Sequence, residues 1–244
     1  MSRVFLLGIP IDALSMRQTI QMLLHFLASD RPRHVMTPNN EMLVESTRNP
    51  RFRNLLKKSD LNLPDSQGLR LMARWTCQRI PERVTGVDTV QELCRHLDER
   101  HTVFLLGARP GVAELASQAL RRANPNLVIV GTFSGNPLPE YSLEIIHAIN
   151  ASQPHVLLVA FGSPMQDFWI EEHLGKLPSV RVAIGVGGTF DFIAGVRARA
   201  PRFVQLIGFE WLWRFAQQPS RWKRMWNAVV VFPYLVIRHG RRHP

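Results

Sequence analysis

The sequence predicts an α/β protein: a mostly parallel, Rossmann-like sheet with helices on both faces, followed by a basic, Trp-rich helical appendage. Three observations predict it. Short apolar runs alternate with amphipathic stretches through roughly the first 195 residues, the pattern of strands joined by crossover helices. Glycines close several of the apolar runs, at Gly107, Gly131, Gly162 and Gly187-Gly188, where the βα turns of such a sheet fall. From about Pro201 the alternation stops, and Trp211, Trp213, Trp222 and Trp226 interleave with Arg214, Arg221, Lys223 and Arg224.

The elements follow in order. Val4–Gly8 reads as a first strand, and Ser15 with Gln18 forms a capping box that opens a helix to about Ala28. His34–Met36 is a short strand, followed by the turn Thr37-Pro38-Asn39-Asn40 and a helix to Thr47. Asn49-Pro50 starts another helix by N-cap and N1 chemistry. Leu61–Leu63 leads through Pro64-Asp65 into a helix ending near Cys77. The second half is more regular. Strands are expected at Thr102–Leu106, Leu127–Val130, His155–Phe161 and Val180–Gly185. Helices are expected at Val112–Ala123, Pro139–Asn150, Met165–Leu174 and from Gly188 to Ala194. Pro219 separates two helices in the tail. The domain reading is an α/β core over 1–195 and a basic amphipathic appendage over 196–244.

Composition bounds the function. Apolar residues at 45% and charged residues at 20% describe an ordered globular chain with enough material for a core. Cys77 and Cys94 are the only cysteines and have no pairing or zinc-ligand spacing, which points to a reducing compartment. The N-terminus lacks a secretory pattern. The apolar run Ala228–Ile237 is about half a bilayer span and contains Pro233. A cytoplasmic protein, soluble or peripheral to the membrane, is expected. Charge is concentrated late: residues 196–244 hold ten basic residues and a single acid, Glu210, in a chain of net charge +11. Such a tail attracts a polyanion, whether a lipid surface, a diphosphate or nucleic acid. Trp with Arg on an amphipathic helix suits a membrane interface, and the length of the basic excess favours that over a helix merely docked by its Trp face.

Ligands of open α/β sheets sit beyond the carboxyl ends of the strands, so the residues there are the candidates. Asp65 follows an apolar strand and opens a helix; it is either a general base or a helix N-cap. Thr37 and Asn39 occupy the equivalent edge after another strand, and Asn39 also has a capping reading. Asp88, with Gln91 three residues on, reads as a cap. Gly187 and Gly188 let a backbone approach a phosphate. Asp191 either accepts hydrogen bonds from a ribose or base or stabilises its own helix start. Histidines are scattered without metal-ligand spacing, and no Asp-x-Asp pair is present to hold a divalent ion on a diphosphate. Cationic side chains would then neutralise a leaving diphosphate.

Taken together, the loops Thr37-Pro38-Asn39-Asn40-Glu41-Met42, Pro64-Asp65, Arg83-Val84-Thr85-Gly86-Val87-Asp88, Gly162-Ser163-Pro164-Met165-Gln166-Asp167 and Gly185-Val186-Gly187-Gly188-Thr189-Phe190-Asp191 resemble the WecG/TagA/CpsF glycosyltransferases. So do Arg199-Ala200-Pro201-Arg202 and Gly208-Phe209-Glu210-Trp211-Leu212-Trp213-Arg214 in the tail. The resemblance runs in order along essentially the whole chain. It implies an inverting, metal-independent transferase without a cofactor. The donor would be a UDP-sugar, with N-acetylmannosamine or a related hexose or uronic acid as the sugar. The acceptor would be an undecaprenyl-diphosphate-linked sugar, in cell-surface polysaccharide or teichoic acid synthesis. It implies Asp65 as general base, and Thr37 and Asn39 in the donor-sugar pocket. Arg83 and Gln166 fall near sugar and diphosphate, and Asp191 on the nucleotide side. Arg214, Arg221 and Arg224 belong to an appendage closing over the diphosphates at the inner face of the membrane; a homo-oligomer is permitted. Two departures bear on specificity: Asp65 is followed by Ser66-Gln67-Gly68, where the family usually has glycine directly, and Ser134-Gly135-Asn136-Pro137-Leu138 replaces an aromatic stretch.

Two other classes compete. A nucleic-acid-binding protein accounts for the basic tail but not for the glycine-edged body. A dinucleotide-dependent enzyme suits the sheet but lacks a GxGxxG and a correctly spaced ribose-binding acid.

Overall fold

A computed structural model describes residues 2–201, 203–204, 210–217, 220 and 222–243, with only the backbone of Arg214. Six parallel strands form the central sheet: β3 (Arg33–Met36), β4 (Leu61–Asn62), β5 (Val103–Gly107), β6 (Ile129–Phe133), β7 (Val156–Ala160) and β8 (Val182–Gly185), in the order β4-β3-β8-β7-β5-β6. The predicted α/β architecture is therefore observed.

The first strand is a correction. Arg3–Leu6 (β1) does not join the sheet but pairs antiparallel with Ile9–Asp12 (β2) as a separate hairpin. Leu7 and Gly8 both have positive φ, the conformation a tight two-residue hairpin demands. Pro10 hides β2 from a sequence reading, because proline removes a ladder donor and is tolerated only at an edge. Later strands lie within a few residues of expectation, although β6 begins at Ile129 rather than Leu127.

Strand alternation sorts the core into layers. Val35, Leu105, Val156, Leu158 and Ile184 face a cluster built with α1 (Met16–Leu27), α5 (Gly86–His96), α6 (Val112–Ala123) and α9 (Thr189–Ile193). On the other face Phe104, Leu106, Leu157 and Val159 pack against α7 (Pro139–Ser152) and α8 (Met165–His173). Beside them, Met36 meets the hairpin, α2 (Asn40–Arg48), α3 (Pro50–Lys58) and α4 (Gln67–Trp75). Cys94 lies inside the first cluster, where burial pushes its thiol pKa up to about 12 and keeps it unreactive.

Two predicted helix starts are confirmed in detail. Ser15 and Gln18 form the capping box of α1, and Asn49 caps α3 with Pro50 at its first turn. At the C-terminus, α10 (Glu210–Gln217), α11 (Trp222–Trp226), a π-helical turn over Asn227–Val231 and α12 (Phe232–His239) follow. Phe232 and Val236 of α12 are fully buried in the cluster shared with the hairpin and α4. The chain end then seals the hairpin turn: the amides of Leu7 and Gly8 donate to the carbonyls of Gly240 and Arg241. No helix among the described residues is long and apolar enough to cross a membrane, and Pro233 lies in the first turn of α12. Pro219, Arg221, Arg202, Gly208 and Phe209 lie outside the described residues.

Candidate active site

The loops leaving β3, β4, β7 and β8 meet the tail helices around one cleft of about 450 Å³. Thr37, Asn39, Asp65, Arg83, Gln166, Gly187, Gly188 and Arg224 all line it. Eight residues singled out from the sequence are thus brought together from six separate segments. Asp191 is not among the lining residues. It sits in the first turn of α9 and pairs with Arg109 at 3.5 Å and Arg197 at 3.4 Å. Arg221 and the side chain of Arg214 lie outside the described residues.

Each side chain is held by identifiable contacts. Thr37 donates its hydroxyl to the Gly185 carbonyl at 3.1 Å, tying the end of β3 to that of β8. Asn39 is the N-cap of α2, its Oδ1 accepting the Met42 amide at 3.1 Å. Asp65 is not the N-cap of its helix; Ser66 holds that position. Asp65 Oδ1 instead accepts the amide of Gly86, the first residue of α5, at 3.0 Å. The carboxylate therefore stands at a helix N-terminus, where the dipole favours an anion. Asp88 is likewise not the cap of α5: Thr85 is, and Asp88 closes a reciprocal bond to its hydroxyl.

Gln166, 3% exposed, fixes two loops at once. Its Oε1 accepts from the amides of Gly162 at 3.1 Å and Gly187 at 2.8 Å. Gly185 makes room for it: a Cβ there would fall 2.7 Å from Gln166 Nε2 and 2.5 Å from Asp167 Oδ1. Gly185→Ala is expected to cost about 1–3 kcal/mol through overpacking and to raise the KM of whatever ligand lies against Gly187. Chemical unfolding and steady-state kinetics check it; an unchanged midpoint would mean the two side chains move aside freely.

Residues that lie in or beside the sequence motifs, without an assigned site role, complete the walls, among them Asn40, Glu41, Ser66, Arg199, Glu210 and Trp211. Asn40 joins core to tail, donating to the Ala228 carbonyl at 2.8 Å and accepting from Ser66 Oγ at 2.7 Å. Arg83 pairs with Glu210 at 2.9 Å, and Arg224 pairs with Glu41. Arg199 donates to Asp88 Oδ2 at 2.8 Å. Their signal in the sequence was their place in or beside the same motifs, and for Glu210 also its place as the lone acid of a basic tail.

The Asp88–Arg199 contact carries a pH signature. Burial pushes the Asp88 carboxyl up, but hydrogen bonds from Arg199 and Thr85 and the charges of Arg199 and Arg83 outweigh it, so its pKa lies below the ordinary value. A carboxyl that ionises more readily folded than unfolded contributes stability that is complete at neutral pH and lost as pH falls through the folded value. The unfolding midpoint of Asp88→Asn should therefore trail the unmodified protein near pH 7 and converge with it below the usual aspartate range. A constant gap across that range would remove the assignment.

Comparison with known proteins agrees with this geometry. The chain is 30% identical over 217 residues to the N-acetylglucosaminyldiphosphoundecaprenol N-acetyl-beta-D-mannosaminyltransferase of Bacillus spizizenii, covering 88% of this chain and 83% of that one. The Bacillus subtilis protein of the same name is 30% identical over 78% of this chain and 74% of its own. The Staphylococcus aureus protein of that name is 26% identical over 99% of this chain and 94% of its own. The model of the "Glycosyl transferase WecG/TagA/CpsF family" matches residues 4–244. With the sequence motifs gathered around one cleft and a match of this extent, the chain belongs to the WecG/TagA/CpsF family of glycosyl transferases.

Proposed function

We propose that this chain transfers N-acetylmannosamine from UDP to a sugar carried on undecaprenyl diphosphate, inverting the anomeric centre, at the cytoplasmic face of the membrane. The observation that carries it is the convergence of Asp65, Thr37, Asn39, Gln166 and two arginines on one cleft, in a chain whose relatives are named as N-acetylmannosaminyltransferases of N-acetylglucosaminyldiphosphoundecaprenol.

In this reading Asp65 takes the proton from the acceptor hydroxyl as that oxygen attacks the anomeric carbon. The bond from that carbon to the UDP oxygen breaks, and the leaving diphosphate takes the electron pair. Arg83 and Arg224, with the tail arginines Arg214 and Arg221, offset the developing charge in place of a divalent ion. Gly187 and Gly188 admit the nucleotide, and Asp191 serves it from outside the cleft wall. Residues 196–244 act as an appendage that covers the site. Its exposed Trp222 and Trp226, each 58% accessible, enter the headgroup layer of an anionic bilayer beside Lys223 and Arg224.

Thermal unfolding with nucleotides tests the donor class. UDP is expected to raise the midpoint and NAD to leave it unchanged; stabilisation by NAD but not UDP would replace this reading with a dinucleotide-dependent one.

A further inference from the structure

The cleft that must admit a diphosphate is not basic among the described residues. Among its described lining residues, Arg83, Arg199 and Arg224 face Glu41, Glu45, Asp65 and Glu210, although the whole chain carries a net charge of +11. Two of these arginines are each matched by a carboxylate across the junction between core and tail. Arg83, on the loop before α5, meets Glu210, the first residue of α10, at 2.9 Å. Arg224, on α11, meets Glu41, in the first turn of α2. The side chains of Arg83 and Glu210 are only 13% and 29% exposed, so water screens them incompletely. Glu210 also lies 3.9 Å from Arg199 Nε, and that buried nitrogen has no hydrogen-bond partner. A dianionic ligand entering such a site meets arginines, Arg83, Arg199 and Arg224, that already hold carboxylates.

We infer that Glu210 and Glu41 are exchangeable counter-ions: they hold Arg83 and Arg224, and keep the tail docked, until the diphosphate of a substrate takes the arginines from them. The inference rests on the proposed function for the ligand, and on the paired geometry for the exchange. Two oxygens of a phosphate group offer the guanidinium the same two-point acceptor as a carboxylate, with more charge on the group. Each arginine can thus change partner without being left unpaired in a half-buried site. Glu210 and Glu41 touch no reacting atom in this account and are positioning residues. Their effect is to set the affinity of the site for a diphosphate against the affinity of the tail for the core. The single acid in residues 196–244 falls where this exchange needs it.

Equilibrium binding of UDP, farnesyl diphosphate and uridine to the full chain tests the exchange and separates the two sources of a diphosphate. Glu210→Gln, which keeps a hydrogen-bonding side chain, should tighten one or both diphosphates by about three- to fivefold, the worth of a partly exposed ion pair. Uridine, which lacks the diphosphate, should bind unchanged. The ligand that tightens identifies the substrate Arg83 serves. In an Arg83→Ala background the same substitution should have no effect, because no guanidinium is left to release. Glu41→Gln in normal and Arg224→Ala backgrounds repeats the test at the other pair, so misfolding of one variant leaves the other decisive. If a carboxamide variant that unfolds like the unmodified protein binds both diphosphates no better than it does, or tightens them equally without the arginine, the exchange is overturned. Failure of every form to bind either diphosphate would remove the functional reading itself, and this inference with it.

Discussion

Replacing Asp65 with asparagine should lower kcat by about 10²- to 10⁴-fold, the span of general-base contributions, with UDP affinity held within about twofold. The substitution is informative because of what it keeps. Asparagine Oδ1 can still accept the Gly86 amide, now received by Asp65 at 3.0 Å, so the joint between the β4 loop and α5 survives. Only the capacity to take a proton is lost. Asp65→Ala would remove that joint as well and is expected to raise KM in addition. Near-normal kcat for the asparagine variant in single-turnover measurements would remove Asp65 as the base.

Removing residues 196–244 should abolish both turnover and binding to anionic vesicles, for separable reasons. The cleft would lose Arg199, Glu210, Trp211, Arg224, Ala228 and Val229 from its walls. The core would lose Phe232 and Val236, both fully buried; Phe232→Ala alone is expected to cost about 3–5 kcal/mol. The membrane-facing surface would lose Trp222 and Trp226. The double variant Trp222→Ser, Trp226→Ser isolates the last effect, since both rings are mostly exposed. It should unfold like the unmodified protein and turn over a water-soluble acceptor normally, while sedimenting poorly with vesicles. Unchanged sedimentation would mean that these rings do not meet the bilayer.

What could be read in the sequence was local. Capping chemistry located α1 and α3 because Ser15 with Gln18 and Asn49 with Pro50 act within one turn. Strand–helix alternation gave the parallel sheet, since apolar runs keep their period whatever their neighbours. Pairings over long separations could not be read. Nothing in Val4–Gly8 distinguishes a hairpin arm from a sheet strand, and β2 contains a proline. Asp65 could be taken for a cap because it precedes a helix; its partner Gly86 lies on another one. The motif residues around Gly187 and Asp191 are adjacent in sequence, yet Gly187, Gly188 and Thr189 line the cleft and Asp191 does not. Arg83 and Glu210 are far apart in the chain, so their pairing emerges only when α10 is laid against the loop before α5.

The most direct test is mass spectrometry, with proton NMR of the anomeric centre, of a short-chain prenyl-diphosphate-linked N-acetylglucosamine incubated with the protein and UDP-N-acetylmannosamine. The account predicts that the acceptor gains one N-acetylhexosamine residue, in the configuration opposite to that of the donor, in step with release of UDP. No mass gain with this donor or any other UDP-sugar, or a product retaining the donor's configuration, would contradict it.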